Sequence, residues 1–267
     1  MDKLRFLSLA SGSSGNCYFI GNASSGILID AGIGVRSIRK CLRSIGLDLE
    51  NIWGVFVTHD HADHIKAVGT LGEKYHIPIY TTHKVHEGIQ RSYCVTEKLF
   101  SSKRYIEKLE TVQLGEFRVT AFPVSHDATD NVGYTFEYKE KRFTFATDLG
   151  FVSQEVAEQL KLADFLVLEA NYDEQMLLNG PYPLHLKNRI VSETGHLSND
   201  QCGLFLAENY NERLQHIFLC HLSRENNLPE VAYTTIQHHL EDKLIIVGKD
   251  VQLITLDRLT PSELYVL

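Results

Sequence analysis

The stretch "THDHADHI", residues 58–65, follows the apolar run "IWGVFV" and opens a segment with helical spacing. A solvated loop can carry such residues as ordinary polar groups, whereas a metal centre uses nearly all of them at once. His59 and His61 stand two apart on extended chain and so point the same way. Asp63 and His64 follow, and Ile65, Val68, Leu71 and Tyr75 then continue as one face of a helix. The string therefore belongs on a loop between a strand's end and a helix's start, a place from which a second ion can be reached. Imidazoles mixed with carboxylates suit Zn²⁺, Mn²⁺ or Fe²⁺ and not Ca²⁺.

The same form, an apolar run and then a ligand-type residue, recurs along the chain. His126 ends "FPVSH", Asp148 ends "FTFATD" and His221 ends "IFLCH". Any one of them reads as a loop residue with a hydrogen bond. Four such strand ends read as ligand-bearing loops at the rim of a rigid scaffold. The scaffold is legible too. "LRFLSLA", "CYFIGN" and "GILIDAG" form a meander with Gly turns, followed by the helix "VRSIRKCLRSIGL". Later, "EFRVTAFPVSH" and a hairpin turning near Lys139–Lys141 precede "DFLVLEAN", "QHIFLCHLS" and a closing strand "VQLITLD". Helices stand between them, one with Ser198 and Gln201 in capping-box spacing. Two runs of strands, each with helices following, imply two sheets packed face to face with helices outside. That is one four-layer αββα sandwich domain over residues 1–267.

Composition narrows the function. The chain has 267 residues, 43% of them hydrophobic, enough for one large domain or two small ones. Its formal charge of −8 does not suit indiscriminate coating of DNA, though a local basic cleft is compatible with it. Arg36, Arg39, Lys187, Arg189 and Arg224 are scattered basic candidates. Five cysteines with no C-x-x-C pair indicate free thiols in a reducing compartment. Cys220 adjoins His221 on a strand and so belongs to the opposite face, as a core thiol. The N-terminus reads as a strand, and no run of about 18 apolar residues occurs, so the expected place is the cytoplasm, away from membranes. His83, His86, His238 and His239 read as surface or core residues away from the motifs.

The order of motifs resembles the metallo-β-lactamase superfamily of hydrolases: "GILIDAG" with Asp30, "THDHADH", "PVSH", "FATDLG" and "LCHLS". The resemblance implies that fold over the whole chain, and two divalent ions. His59, His61 and His126 would hold one, Asp63, His64 and His221 the other, with Asp148 bridging. Asp30 would stand behind them and orient a ligand histidine. "SGSSGNCYFI", "LEANYDEQML", "YPLHLKNRIVSETGHLSNDQ" and "CHLSRENN" resemble the YycJ (WalJ) branch, which is associated with 5′-to-3′ exonuclease activity on DNA. "EAN…GHLS" is similar to segments of tRNA 3′-processing members, which implies that His196 lies by the scissile phosphate as proton donor or phosphate contact. Two departures follow: Asp148 and His221 are too close in sequence for the cap domain of RNA-degrading members, and no long tRNA-gripping arm is evident.

The expected function is thus a dinuclear metal-dependent phosphodiesterase or nuclease, a 5′-to-3′ DNA exonuclease using a metal-bridging hydroxide. Asp63, Asp148 and His196 stand closest to the chemistry, with Asp173 or Glu169 to orient His196. The loop "SGSSGN", with Ser13, Ser14 and Asn16, offers N–H donors to an anion or simply makes a tight turn. Ser223 and Arg224 are candidates for substrate phosphate, and His185 faces either the cleft or solvent. Two other readings stay open: a hydrolase of a small cyclic phosphodiester, lactone or thioester at the same site, and a metal-dependent binding module. The sequence leaves the oligomeric state undetermined.

Overall fold

A computed structural model describes residues 3–267, and its strands follow the apolar runs. β1 (Arg5–Ala10), β2 (Cys17–Gly21) and β3 (Gly26–Ile29) form an antiparallel meander. α1 (Val35–Ser44) buries Ile38, Cys41 and Leu42 and leads to β4 (Ile52–Phe56), parallel to β3. The metal-type string then enters a single turn, α2 (Ala62–Ile65). The long helix expected there is interrupted by a π-turn at Thr70–Lys74. The wider turn shifts the helical phase. Ile65, Val68 and Leu71 remain fully buried, Tyr75 is 36% exposed, and Ile77 takes a core position instead. β5 (Ile79–Thr81), α3 (His83–Arg91), β6 (Lys103–Tyr105) and β7 (Thr111–Leu114) follow.

β8 (Phe117–Pro123), β9 (Val132–Tyr138) and β10 (Lys141–Ala146) come next, with Tyr138 opposite Lys141 across the hairpin expected there. The chain continues through α4 (Gln154–Leu160), β11 (Phe165–Glu169), α5 (Glu174–Asn179), α6 (Leu184–Ile190) and α7 (Asn199–Asn209). α7 opens with the Ser198–Gln201 capping box. β12 (His216–Cys220), α8 (Pro229–Glu241) and β13 (Gln252–Thr255) complete the run. β13 does not close the chain. β14 (Tyr265–Val266) returns to pair with Arg5 and Phe6 of β1, a strand too short to leave a periodic signal.

The strands form two seven-stranded sheets, in the orders β14-β1-β2-β3-β4-β5-β6 and β13-β12-β11-β10-β9-β8-β7. β3 to β6 are parallel, as are β10 to β13. The inner parallel strands carry near-continuous apolar sequence, as burial on both faces requires. The chain divides into two compact units. The first runs to Arg118 and includes Ala128–Asn131 and Asp257–Leu267; the second holds Val119–Asp127 and Val132–Leu256. Each has its own apolar cluster, Ile38, Leu42 and Val68 among the first, Leu168, Leu219 and Ile236 among the second. The ligand-type residues leave the carboxyl ends of parallel strands: Asp30 after β3, His59 after β4, Asp148 after β10, Glu169 closing β11 and His221 after β12. In each sheet taken by itself, the carboxyl end of the strands is where open α/β sheets bind ligands. Among the described residues no helix is long and apolar enough to cross a membrane.

Candidate metal centre

In the first unit the organising group is Asp30. Its φ of 55° lies in the left-handed region, which costs a non-glycine residue about 1–3 kcal/mol. The carboxylate is fully buried. It accepts from the Thr58 amide at 2.8 Å and lies 2.7 Å from His64 Nδ1. The Thr58 hydroxyl donates to it at 2.9 Å and is 3.0 Å from His59 Nδ1. One carboxylate thus fixes His64 directly and His59 through Thr58. Burial pushes the Asp30 carboxyl up, and His64 and Thr58 offset this only in part.

With Nδ1 held, Nε2 is the atom that each ring presents. His64 Nε2 is 3.0 Å from Asn16 Nδ2 and 3.6 Å from Asp63 Oδ2. The His59 ring centroid is 4.7 Å from that of His61 and 4.1 Å from that of His64. The backbone stitches this together: Asn16 N donates to Asp63 O at 2.7 Å, and Gly32 N to Asn16 O at 2.8 Å. Position 32 must be glycine, because a Cβ there would lie 1.5 Å from Asp63 O. Asp60, the remaining acid of the string, is a brace. It accepts from Thr129 N at 3.0 Å and Thr129 Oγ1 at 2.6 Å, and Gly88 of α3 leaves room for it.

In the second unit the hub is Glu169, also fully buried. Its Oε1 is 2.8 Å from His196 Nδ1 and 2.9 Å from His221 Nδ1. Its Oε2 accepts from the amides of Leu149 (3.0 Å) and Leu197 (3.2 Å). Burial alone would raise this carboxyl, but His196 and His221 outweigh it and hold it below the usual carboxylate range. Asp148 and His221 both adopt left-handed backbone, at φ 54° and 55°. Asp148 Oδ1 is 3.2 Å from His221 Nδ1, 3.7 Å from His196 Nδ1 and 3.8 Å from His126 Nε2. His126 Nδ1 is 2.9 Å from Gly195 O. Burial lowers the pKa of His126, against the pull of Asp148, which favours a neutral imidazole able to bind metal. Asn171 Nδ2 donates to His221 O at 2.8 Å and so supports its left-handed backbone. Cys220 is fully buried, and burial pushes its thiol well above the ordinary value, which disfavours a thiolate ligand.

These residues fit a divalent cation. Metal-binding histidines bind through one ring nitrogen while the other is held by a protein acceptor. His59, His64, His126 and His221 each have Nδ1 against a hydroxyl, carboxylate or carbonyl oxygen. Within the second unit alone, Asp148, Glu169, His196 and His221 each offer one donor atom within 4.8 Å of the others. Nitrogen and carboxylate donors of this kind suit Zn²⁺, Mn²⁺ or Fe²⁺.

Other candidates are placed differently. Asp173 caps α5, accepting from Met176 N at 2.8 Å, so Glu169 is the partner of His196. Ser13 and Ser14 are exposed. Asn16 is not on that outer face: it is fully buried, and its Oδ1 accepts from Gly12 N at 2.9 Å. His185 is exposed on α6. Its neighbour Lys187 donates to Leu178 O at 2.7 Å, and Arg189 pairs with Asp127 at 2.5 and 2.9 Å. Ser223 Oγ accepts from Asn226 N at 3.3 Å, and the exposed Arg224 is 3.3 Å from Glu225. Sequence reasoning passed over Thr58, Gly195 and Asn171. It weighed Glu169 only as one of two partners for His196, although a lone charge ending an apolar strand must be satisfied.

Residues 26–217 match the family model of the β-lactamase superfamily domain. The chain is 32% identical to exodeoxyribonuclease YycJ of Bacillus anthracis, over 98% of each chain. It is 36% identical to exodeoxyribonuclease WalJ of Streptococcus pneumoniae, over 91% of this chain and 90% of that one. A solved structure, the metallo-β-lactamase fold protein YhfI from Bacillus subtilis, aligns with a TM-score of 0.69 at 13% identity, covering 97% of this chain and 99% of that one. At that identity the likeness is one of fold.

Proposed function

Because the chain belongs to the metallo-β-lactamase superfamily and, within it, to the YycJ/WalJ family, we propose that it is a metal-dependent exodeoxyribonuclease that degrades DNA from the 5′ end. His59, His61 and His126 hold one divalent ion, and Asp63, His64 and His221 a second. Asp148 would serve both ions, and residues 1–267 would act as one catalytic domain. Asp30 orients His64. When bound, the ions supply Lewis-acid charge for the phosphodiester and make hydroxide available near neutral pH. The protein does the rest. Asp63 and Asp148 bring the carboxylates nearest the scissile bond. With His196 Nδ1 held by Glu169 at 2.8 Å, Nε2 is the atom that delivers a proton to the leaving oxygen. Ser13 and Ser14 meet substrate from the first unit, with the buried Asn16 holding their loop, and His185, Ser223 and Arg224 meet it from the second. The enzyme works in the cytoplasm, where its cysteines stay reduced.

The observation that carries this reading is that His59, His64, His126 and His221 each have Nδ1 against a protein oxygen, which leaves Nε2 as the nitrogen for an ion. The experiment uses duplex DNA labelled separately at each 5′ and 3′ end. Metal-free protein receives Mn²⁺ or Zn²⁺ beside the Asp148→Ala variant. Metal-dependent release of 5′ label as mononucleotides, lost in the variant, is the expected result. An intact duplex in every lane would replace this reading with a small-substrate hydrolase. Equal activity in the variant would identify a contaminant.

A further inference from the structure

The edge of the first sheet carries a surface that the metal centre does not use. β6 is the outermost strand there, and Tyr105 at its end is 47% exposed. Its ring stacks on His83 of α3, with centroids 3.9 Å apart and planes 7° from parallel. His86 meets the same ring edge-on at 5.2 Å. Glu107 holds His83 Nδ1 at 2.5 Å, so the stacked pair is preorganised. Beside it lies a cavity of about 330 Å³ whose lining includes Gln90, Arg91 and Lys103, room enough for a nucleotide-sized group. Two more rings project from the loop between α3 and β6: Tyr93 is 91% exposed and Phe100 76%. Of the five aromatic residues that are exposed among those described, three thus lie within residues 93–105. A concentration of exposed rings marks a binding surface.

Charge identifies the partner. The chain carries −8 overall, yet residues 83–108 hold six Lys and Arg against three Glu. Lys103 and Arg91, the latter 3.8 Å from Glu87, line the cavity beside Tyr105, whereas Arg104 alternates to the other face of β6 opposite Tyr80. Cations beside solvent-facing rings fit unpaired bases and their phosphates. An acidic peptide would leave the rings idle, and a duplex hides its base faces. The surface also adjoins the "HDH" loop: α3 packs against Asp60 closely enough that a Cβ at Gly88 would come within 1.9 Å of its carboxylate.

We infer that this α3–β6 edge binds single-stranded DNA, with bases stacking on Tyr105, Tyr93 and Phe100 and phosphates pairing with Arg91 and Lys103. The inference rests on the exonuclease reading and adds to it a grip on the unpaired strand outside the metal centre.

The test uses the metal-loaded, full-length protein and a fluorescein-labelled phosphorothioate oligodeoxythymidylate, which resists cleavage, followed by anisotropy over a salt series. Arg91→Ala/Lys103→Ala is expected to weaken binding about tenfold. It should also flatten the slope of log K against log salt by about 1.4, the share of two phosphates on a single strand. Tyr105→Leu should weaken binding about five- to a hundredfold, and Tyr105→Phe, which keeps the stack, should restore it. Hydrolysis of bis(4-nitrophenyl) phosphate should be unchanged in all of them. Wild-type affinity and slope in the double variant, or a Tyr105→Phe as weak as Tyr105→Leu, would overturn the surface. In that case digestion of DNA by the wild type would leave the exonuclease reading standing. A wild type that neither binds the oligonucleotide nor digests DNA would remove both.

Discussion

Asp30 and Asp148 leave equivalent strands, each the fourth in from the antiparallel edge of its sheet, at φ 55° and 54°. Both stand in the pattern D-x-G, "DAG" and "DLG". In both, the glycine lies against a backbone carbonyl, Asp63 O in one and Glu193 O in the other. The backbone device is shared, and the use of the carboxylate is not. Asp30 is spent on Thr58 and His64. Asp148 stays within 3.2–3.8 Å of three histidines, and orientation in that unit falls to Glu169 on the adjoining strand. Glu169 has both oxygens occupied, by two imidazoles and two amides. A carboxylate can hold a ring in place only when its oxygens are so committed. Where a neighbouring strand supplies that carboxylate, the left-handed aspartate keeps an oxygen toward the histidines, as the proposed metal centre requires.

The largest expected effect separates the two aspartates. Asp148→Ala should lower nuclease activity at least about 100-fold, more than loss of an orienting partner does, while the metal-free protein melts within a few degrees of wild type. Asp30→Ala should lose activity and also about 1–3 kcal/mol of stability, because the Thr58 amide and His64 Nδ1 are left buried without their acceptor. Equal melting temperatures for the two metal-free variants would break the comparison. Next, Gly32→Ala should cost at least about 1–3 kcal/mol in chemical denaturation, since its Cβ meets backbone that cannot move aside. Gly150→Ala, whose Cβ would lie 2.3 Å from Glu193 O against 1.5 Å at Gly32, should cost less.

Glu169→Gln should lower activity about 10–100-fold and also change the acid limb of stability. The folded carboxyl is held below its ordinary value of 4.5. Its stabilisation is therefore complete above that pH and is lost as pH falls below it. Denaturation of metal-free wild type should steepen below pH 4.5, and the Gln variant should lack that term. The smallest effect belongs to Asp60→Ala, which removes the acceptor for Thr129. It should cost about 0.5–1.5 kcal/mol and leave turnover within a few-fold, as befits a brace.

Much of this was legible because ligand residues are expensive to bury. His59, His126, Asp148 and His221 announce themselves as polar ends of apolar runs, and Ser198 with Gln201 announces α7. What stayed hidden depends on backbone conformation. Nothing in "GILID" or "IFLCH" signals a left-handed residue, because non-glycine residues reach that region only when the surrounding contacts impose it. The orienting partners followed from this: Thr58 for His59, Gly195 O for His126 and Glu169 for two rings at once. Asp173 was an equal candidate by sequence until its carboxylate was seen to cap α5. The π-turn at Thr70–Lys74 likewise left no mark, since its residues are ordinary helix formers.

The most direct test is the metal content of dialysed protein by inductively coupled plasma mass spectrometry, measured for wild type, Asp30→Ala and Asp148→Ala. Two ions per wild-type chain, and fewer than two in each variant, are expected. A wild type that retains no ion, or an Asp148→Ala variant that keeps both, would contradict a centre in which Asp30 orients and Asp148 binds.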